Sequence, residues 1–252
     1  MRVLAPLILA CSLFLNPLVI RGQGIADTTI ALTGVQANYA QQLPGGDLAD
    51  RFGTNSNLSL GAFRKFRSNI TLGVEGGFLF GDRVIEPGIL GNIINSQGQI
   101  VDAEGVMADV FLFQRGWTAF VTAGRILPWF GPNPNSGLHL KVGAGMLRHK
   151  VRVQTQKNLV PQLEDEYLEG YDRLTAGPAA LAYLGYQHFG NKHRVNFHVG
   201  LELTVGFTQP LRPFNFDTEE YNKNNRIDLL SAIRAGWTLP IHRKADTGFH
   251  YY

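Results

Sequence analysis

The sequence is poor in charged residues and in cysteine. Charged residues make up only 17% of the 252, and hydrophobic residues make up 44%. That composition is too poor in charge for a coiled coil and too apolar for a disordered tail. Cys11 is the only cysteine. Because it falls in a segment that we expect to be removed, the mature chain has no disulfide framework, thiolate metal site or cysteine nucleophile.

An excess of one sign of charge is also missing. The chain has 23 basic and 20 acidic residues. Arg2 and Arg21 lie before residue 25, so the chain from residue 25 onward has 21 basic and 20 acidic residues. This balance gives no electrostatic case for a nucleic-acid partner. The sequence contains no phosphate-binding glycine loop, zinc spacing or dinucleotide fingerprint. We therefore predict no cofactor and no metal.

Long apolar runs are absent beyond residue 24, which excludes a transmembrane helix there. In the opening segment Arg2 precedes an apolar stretch, and Gly22-Gln23-Gly24 places small residues at the minus three and minus one positions of a cut after Gly24. We predict that residues 1–24 are a cleaved secretory signal. The alternatives are an N-terminal membrane anchor and a lipoprotein modified at Cys11.

Strict two-residue alternation dominates the rest of the chain. Between residues 194 and 208 every odd position is apolar and every even position is polar or glycine. The same pattern occurs at 70–80 and 138–146 and, less purely, at 227–241. Such a period predicts strands with one apolar face, here longer than the usual strand of a soluble domain.

Two architectures use strands of this kind. A soluble barrel or sandwich turns its apolar face inward, whereas an outer-membrane barrel turns it to lipid and keeps a polar lumen. Long polar connections at 42–55, 81–103, 157–172 and 209–225 alternate with short turns, as in barrels with long external loops. Aromatic residues also lie at strand ends, as in an interfacial girdle. We therefore predict that residues 25–252 form one all-β, antiparallel, up-and-down transmembrane barrel in the cell outer membrane of a Gram-negative bacterium.

The strand count depends on residues 104–127, whose apolar phase changes between Leu112 and Trp117. This stretch is either two strands or one strand with a bulge. Bacterial barrels have even counts, so we treat it as one strand. The eight predicted strands are 28–41, 56–66, 69–81, 104–127, 137–156, 173–188, 193–208 and 226–241. Eight strands leave an interior that side chains fill, so the barrel should not conduct solutes.

The last predicted strand reads Arg234-Ala235-Gly236-Trp237-Thr238-Leu239-Pro240-Ile241, and the chain ends in Tyr251-Tyr252. This segment resembles the carboxy-terminal signal of bacterial outer-membrane barrels, although eleven residues follow it. In size and layout the chain resembles the small eight-stranded outer-membrane barrels, and its glycine- and tyrosine-rich style is similar to the PorT-like barrels of Bacteroidota. The resemblance implies insertion by an outer-membrane assembly complex and no particular activity.

Candidate site residues fall into two groups. The first is a lumen charge network, predicted because charges within spanning strands must be paired: Glu75, Lys141, Glu202 and Arg234. The second is a loop rim whose opposite charges could bind another protein: Asp47, Asp50, Arg51, Asp172 and Arg173. Five carboxylates between Glu164 and Asp172 are predicted to be a solvated acidic loop, with calcium binding as the alternative.

The functional prediction is a non-catalytic barrel, a scaffold or accessory component of an envelope secretion or assembly machine. The alternative is a surface binding protein or adhesin that uses its external loops. A third candidate is a barrel enzyme that modifies lipid A, for which His149 is the plausible external histidine. Expected partners are outer-membrane lipid, lipopolysaccharide and other outer-membrane or periplasmic proteins.

Overall fold

Eight long antiparallel strands close into a barrel. The computed structural model describes residues 28–86, 88–156, 160–191, 195–212, 214–221 and 224–241. The predicted signal segment and the chain end beyond Ile241 lie outside the described residues. The barrel strands are β1 (Leu32–Gly46), β2 (Asn55–Lys65), β3 (Ile70–Gly81), β4 (Asp109–Leu127), β5 (Gly137–Gln156), β6 (Thr175–Phe189), β7 (Asn196–Pro210) and β10 (Arg226–Ile241). The order around the barrel is β1-β10-β7-β6-β5-β4-β3-β2, which confirms the predicted up-and-down topology.

The remaining elements are short and lie in loops. A small hairpin pairs β8 (Phe214–Asn215) with β9 (Glu220–Tyr221). Single turns of 3-10 helix occur at Gly91–Ile93 and Pro161–Leu163, and one α-helical turn, α1, occurs at Asp165–Leu168. In the part of the chain that the structure describes, no helix is long and apolar enough to cross a membrane.

The outer face of the barrel is apolar and the inner face is polar. Outward residues at mid-strand are exposed and apolar, including Leu60 and Val121 at 67% and Leu201 at 60%. Inward residues at the same level include Glu75 and Glu202, both buried. A soluble barrel would show the opposite arrangement. The outward apolar face requires lipid, so the soluble alternative is wrong and the transmembrane barrel is confirmed.

Strand β4 is one continuous strand, as predicted, but it contains no bulge. Its pairing with β5 runs in unbroken register from Asp109 opposite Gln156 to Leu127 opposite Leu138. The phase change arises because Val110 and Leu112 point inward and pack against the apolar core beneath the external loops. The bulge was therefore a wrong explanation for apolar residues that face the inside at one end of the barrel.

Strand β1 continues further than expected, through Pro44 to Gly46. Proline is tolerated there because β1 pairs with β2 only as far as Gln42, and beyond that residue it pairs with β10 alone. The first external loop is consequently residues 47–54, shorter than the predicted 42–55. The other external connections are residues 82–108, 157–174 and 211–225.

Three layers fill the lumen. At the end with the short turns, a small apolar cluster includes Phe63, Ile126 and Phe189. At the external end, a larger apolar cluster includes Phe52 and Leu147 and continues into the loops. Charged side chains occupy the level between these clusters. This layering places the charges at mid-membrane, where they must neutralise each other.

Candidate functional site

The central layer of the lumen contains two carboxylates and two cations. Lys141 Nζ donates a hydrogen bond to Glu75 Oε2 at 2.8 Å. The guanidinium of Arg234 donates two hydrogen bonds to Glu75, each of 2.9 Å, and also pairs with Glu202. The structure thus brings together all four residues predicted for the lumen network, from β3, β5, β7 and β10. The formal charge of the layer is zero, which avoids the cost of an unpaired charge in this interior.

Aromatic rings surround these charges. The Tyr183 ring lies 5.3 Å from Lys141 Nζ and 5.8 Å from the guanidinium carbon of Arg234. His139 and His198 each meet the same ring edge-on, at 5.9 and 6.0 Å between centroids. Two cavities lined by parts of this layer hold about 10 Å³ each, enough for roughly one water molecule. The described part of the lumen is therefore plugged at this level.

The described residues of the four external loops form what we call the loop cap, which lies within residues 47–54, 82–108, 157–174 and 211–225. One chain of ion pairs links all four loops. Arg51 of the first loop contacts Glu86 of the second at 2.5 Å. Arg173 of the third loop contacts the other oxygen of Glu86 at 3.1 Å and also pairs with Asp217 of the fourth. A carboxylate shared by two guanidinium groups ties the loops together more firmly than isolated surface pairs would.

Glu86 lies at the centre of this chain. Burial alone would raise the pKa of its carboxyl group, but the charges and hydrogen bonds of Arg51 and Arg173 outweigh that effect. The pKa of Glu86 therefore lies below its ordinary value. The carboxylate is ionised at neutral pH, and the two arginines remain held against it.

The predicted rim residues do not form an outward binding rim. Arg51, Asp172 and Arg173 are at most 5% exposed. Their side chains are buried because they join loops to one another, so they are not available to a partner. Asp47 closes the first loop by accepting a 2.6 Å hydrogen bond from the backbone N–H of Ile227. Of the five residues, Asp50 alone is exposed.

The acidic segment around α1 is neutralised in part by Arg212. This arginine donates to both carboxylate oxygens of Asp172, at 3.2 and 3.1 Å, and to Glu169 at 2.6 Å. Within the described residues, no group of three or more His, Cys, Asp or Glu side chains is placed to hold a metal ion. Asp172 and Glu169 thus act as structural partners of Arg212.

His149 is buried beneath the loop cap and does not reach the outer lipid surface. Its Nε2 lies 2.8 Å from Asp228 Oδ2, and both side chains are fully buried. Thr208 donates a 2.5 Å hydrogen bond to the same carboxylate oxygen, and Phe52 packs edge-on against the imidazole. No hydroxyl in the described residues hydrogen-bonds to His149, whose Nδ1 has no partner there. The imidazole of His149 is therefore enclosed in the lumen and is not presented to lipid outside the barrel.

Three cap residues were missed in the sequence: Glu86, Asp217 and Arg212. They lie in connections without periodicity, where no spacing rule identifies partners. The only available signal was charge balance: Arg51 and Arg173 lie in loops, and carboxylates from other loops were needed to neutralise them. That signal does not single out Glu86 from the other loop acids.

No protein-family model matches this sequence, and no curated protein sequence matches it. Among solved structures, the chain is similar to Ail, the attachment invasion locus protein of Yersinia pestis, crystallised with the heparin analogue sucrose octasulfate. The identity is 13%, the match covers 82% of this chain and 98% of Ail, and the TM-score is 0.38. The N-terminal β-barrel domain of Pseudomonas aeruginosa OprF is 10% identical over 83% of this chain and 99% of that domain, with a TM-score of 0.32. The transport unit of the Escherichia coli autotransporter AIDA-I is 15% identical over 94% of this chain and 76% of that unit, with a TM-score of 0.31.

The barrel assignment rests on the strand pairing and the outward apolar belt. A closed antiparallel barrel with an apolar exterior is the form in which strands span a bacterial outer membrane. The chain is accordingly an eight-stranded outer-membrane barrel. The similarity to the PorT-like barrels of Bacteroidota stays a prediction.

Proposed function

We propose that this chain is a non-catalytic, non-conducting outer-membrane component that works by binding another protein, as a scaffold or accessory subunit of a secretion or assembly machine. The observation that carries the proposal is the ion-pair chain Arg51–Glu86–Arg173–Asp217, which joins all four loops into one unit. A cap held in one conformation presents a fixed surface, so a partner need not order the loops on binding.

The outer surface of the cap supports a binding role. Val101 and Met107 form an isolated β-bridge, and both are exposed with the neighbouring Val106. Tyr167 of the third loop and Tyr221 of the fourth are 63% and 72% exposed. Exposed aliphatic and aromatic side chains on three of the four loops favour a protein partner.

A second candidate function is a surface binding protein or adhesin. It is favoured by the exposed apolar residues of the loop cap, which lie on the external side. A catalytic role finds less support, since His149 and Asp228 are fully buried.

Site-specific crosslinking in intact outer membranes tests the proposal. A photo-crosslinking amino acid is placed at Met107 or Tyr221 on the cap, and at Phe130, 93% exposed at the opposite end, as the matched control. Crosslinks from the cap to envelope-machine subunits would support the scaffold role, and crosslinks to extracellular ligands would support the adhesin. Products from Phe130 alone would show that the cap is not the binding surface.

A further inference from the structure

The outer wall of the barrel carries a group of basic side chains on one hairpin. β4 directs its odd-numbered residues outward and β5 its even-numbered residues. In the β4–β5 register Arg115 is opposite Lys150, and Arg148 and Arg152 flank Lys150 on β5. These four residues, which we call the basic ridge, therefore face outward side by side.

The ridge lies at the outer boundary of the apolar belt. On β4, Arg125 and Arg115 are ten positions apart, and the outward residues between them are Ala123, Val121, Ala119 and Trp117. Ten residues of a strand tilted by about 40° span roughly 25 Å, the height of the apolar band of an outer-membrane barrel. Arg125 and Arg115 thus mark its two edges. Arg115 and its neighbours on β5 lie where lipid headgroups contact the barrel.

Carboxylates neutralise the ridge only in part. Lys150 is 3.5 Å from Asp172, which Arg212 already engages. In the described ranges no carboxylate lies within ion-pair distance of the other three ridge residues; Asp82 and Asp109, at the nearby strand ends, make no such pair. In the strand register Arg115 is opposite Phe80 on β3, and Arg148 is opposite Ala176 on β6, so these neighbouring strands add no basic side chain there.

Neighbouring groups hold part of the ridge in place. The guanidinium of Arg115 lies 5.0 Å from the centroid of the Phe113 ring and donates to the carbonyl oxygen of Gln114 at 2.7 Å. Phe111 and Trp117 are outward and exposed on the same strand. Arginine and lysine next to aromatic surface suit an anionic headgroup that continues into an apolar chain.

We infer that the basic ridge of Arg115, Arg148, Lys150 and Arg152 binds phosphate groups of a lipid in the outer leaflet. The inference rests on the barrel and its orientation in the membrane, and it does not depend on the proposed protein partner. Phosphate is the ligand class because bidentate guanidinium groups recognise it and because these side chains have too few carboxylate partners of their own.

Native mass spectrometry of the folded, detergent-solubilised protein tests this inference. The probes are lipid A with both phosphates, lipid A from which both phosphates have been removed, and inorganic phosphate as a competitor. The test variant is R148Q/K150Q/R152Q. The matched control is R64Q/R125Q, which removes two outward arginines near the opposite edge of the belt.

Each basic side chain near an anionic lipid surface increases the binding affinity about fivefold. We therefore expect the triple variant to bind bisphosphorylated lipid A at least about tenfold more weakly, and the control to stay within about twofold of the unmodified protein. The dephosphorylated lipid should bind weakly to all three proteins. Raising the salt concentration should weaken the unmodified protein more than the triple variant.

Three outcomes would overturn the inference. The first is that the unmodified protein binds the two lipids equally, and the second is that the control variant loses as much affinity as the triple variant. The third is that inorganic phosphate displaces lipid A at a concentration similar to that of the lipid, which would indicate a soluble anion as the ligand. If the triple variant does not give the folded, heat-modifiable band on gels, R152Q alone replaces it. Arg152 is exposed beyond the last residues at which β5 pairs with β6, and about a fivefold loss is then expected.

Discussion

Replacing Arg234 with Gln should destabilise the barrel severely. Arg234 is the one described cation that pairs with Glu202, and it also donates two hydrogen bonds to Glu75. After the substitution, two buried carboxylates share the single cation of Lys141. Breaking a buried ion pair by removing one partner costs about 3–5 kcal/mol, because a charge is left without compensation. We expect a loss of that size in the free energy of unfolding.

The measurement is reversible urea unfolding of the barrel in lipid vesicles, followed by tryptophan fluorescence. The matched control is Arg125→Gln, an arginine on the exposed outer face of β4, which should change stability by no more than about 0.5 kcal/mol. Adding Glu202→Gln to the Arg234→Gln variant restores the charge balance and should recover part of the loss. A cost below about 1 kcal/mol for Arg234→Gln, or no recovery in the double variant, would refute the pairing argument.

Three further predictions concern the wall, the lumen and the cap. Leu201→Arg should lower the free energy of unfolding by about 2–4 kcal/mol, because this outward side chain faces lipid near mid-membrane. Gln209→Arg, on the same strand above the apolar belt, should lower it by only about 0–1 kcal/mol. Urea unfolding in lipid vesicles measures both variants. Planar-bilayer recordings of the pure protein should show little conductance, because side chains plug the lumen. Glu86→Gln should speed proteinase K cleavage of the external loops while the heat-modifiable band persists. Acid should also speed loop cleavage in the unmodified protein. Folding lowers the pKa of Glu86, so the stability that its carboxylate contributes is fully present above about pH 4 and is lost as the pH falls through the pKa of the folded state.

Each of these expectations has a contradicting result. Equal stability of the two arginine variants would mean that the outward face of β7 does not meet lipid. Large, steady single-channel currents would require a wider pore than this lumen provides. Unchanged loop cleavage in Glu86→Gln, at neutral pH and in acid, would mean that the shared carboxylate does not hold the loops.

The wall of the barrel could be predicted from the sequence because side chains alternate between the two faces of a strand. Val199, Leu201 and Leu203 are outward, and the glycine and polar residues between them are inward, as the alternation indicated. The same rule places Glu75 and Glu202 in the lumen. Alternation misleads where the inside is also apolar, and for that reason Val110 and Leu112 suggested a bulge that does not exist.

Which charges meet was decided by the tertiary structure. Glu75 and Arg234 are separated by 159 positions, and they touch only because closure of the barrel brings β3 and β10 to opposite sides of one narrow lumen. The ion pairs of the loop cap could be predicted still less from the local sequence pattern. Glu86 joins Arg51 and Arg173 through the three-dimensional path of three loops, and loops have no period from which a partner could be counted. Which side chains face lipid and which face the lumen could thus be predicted from the sequence, since that depends on local backbone geometry. The partner of each charge could not, because it depends on long-range closure and loop packing.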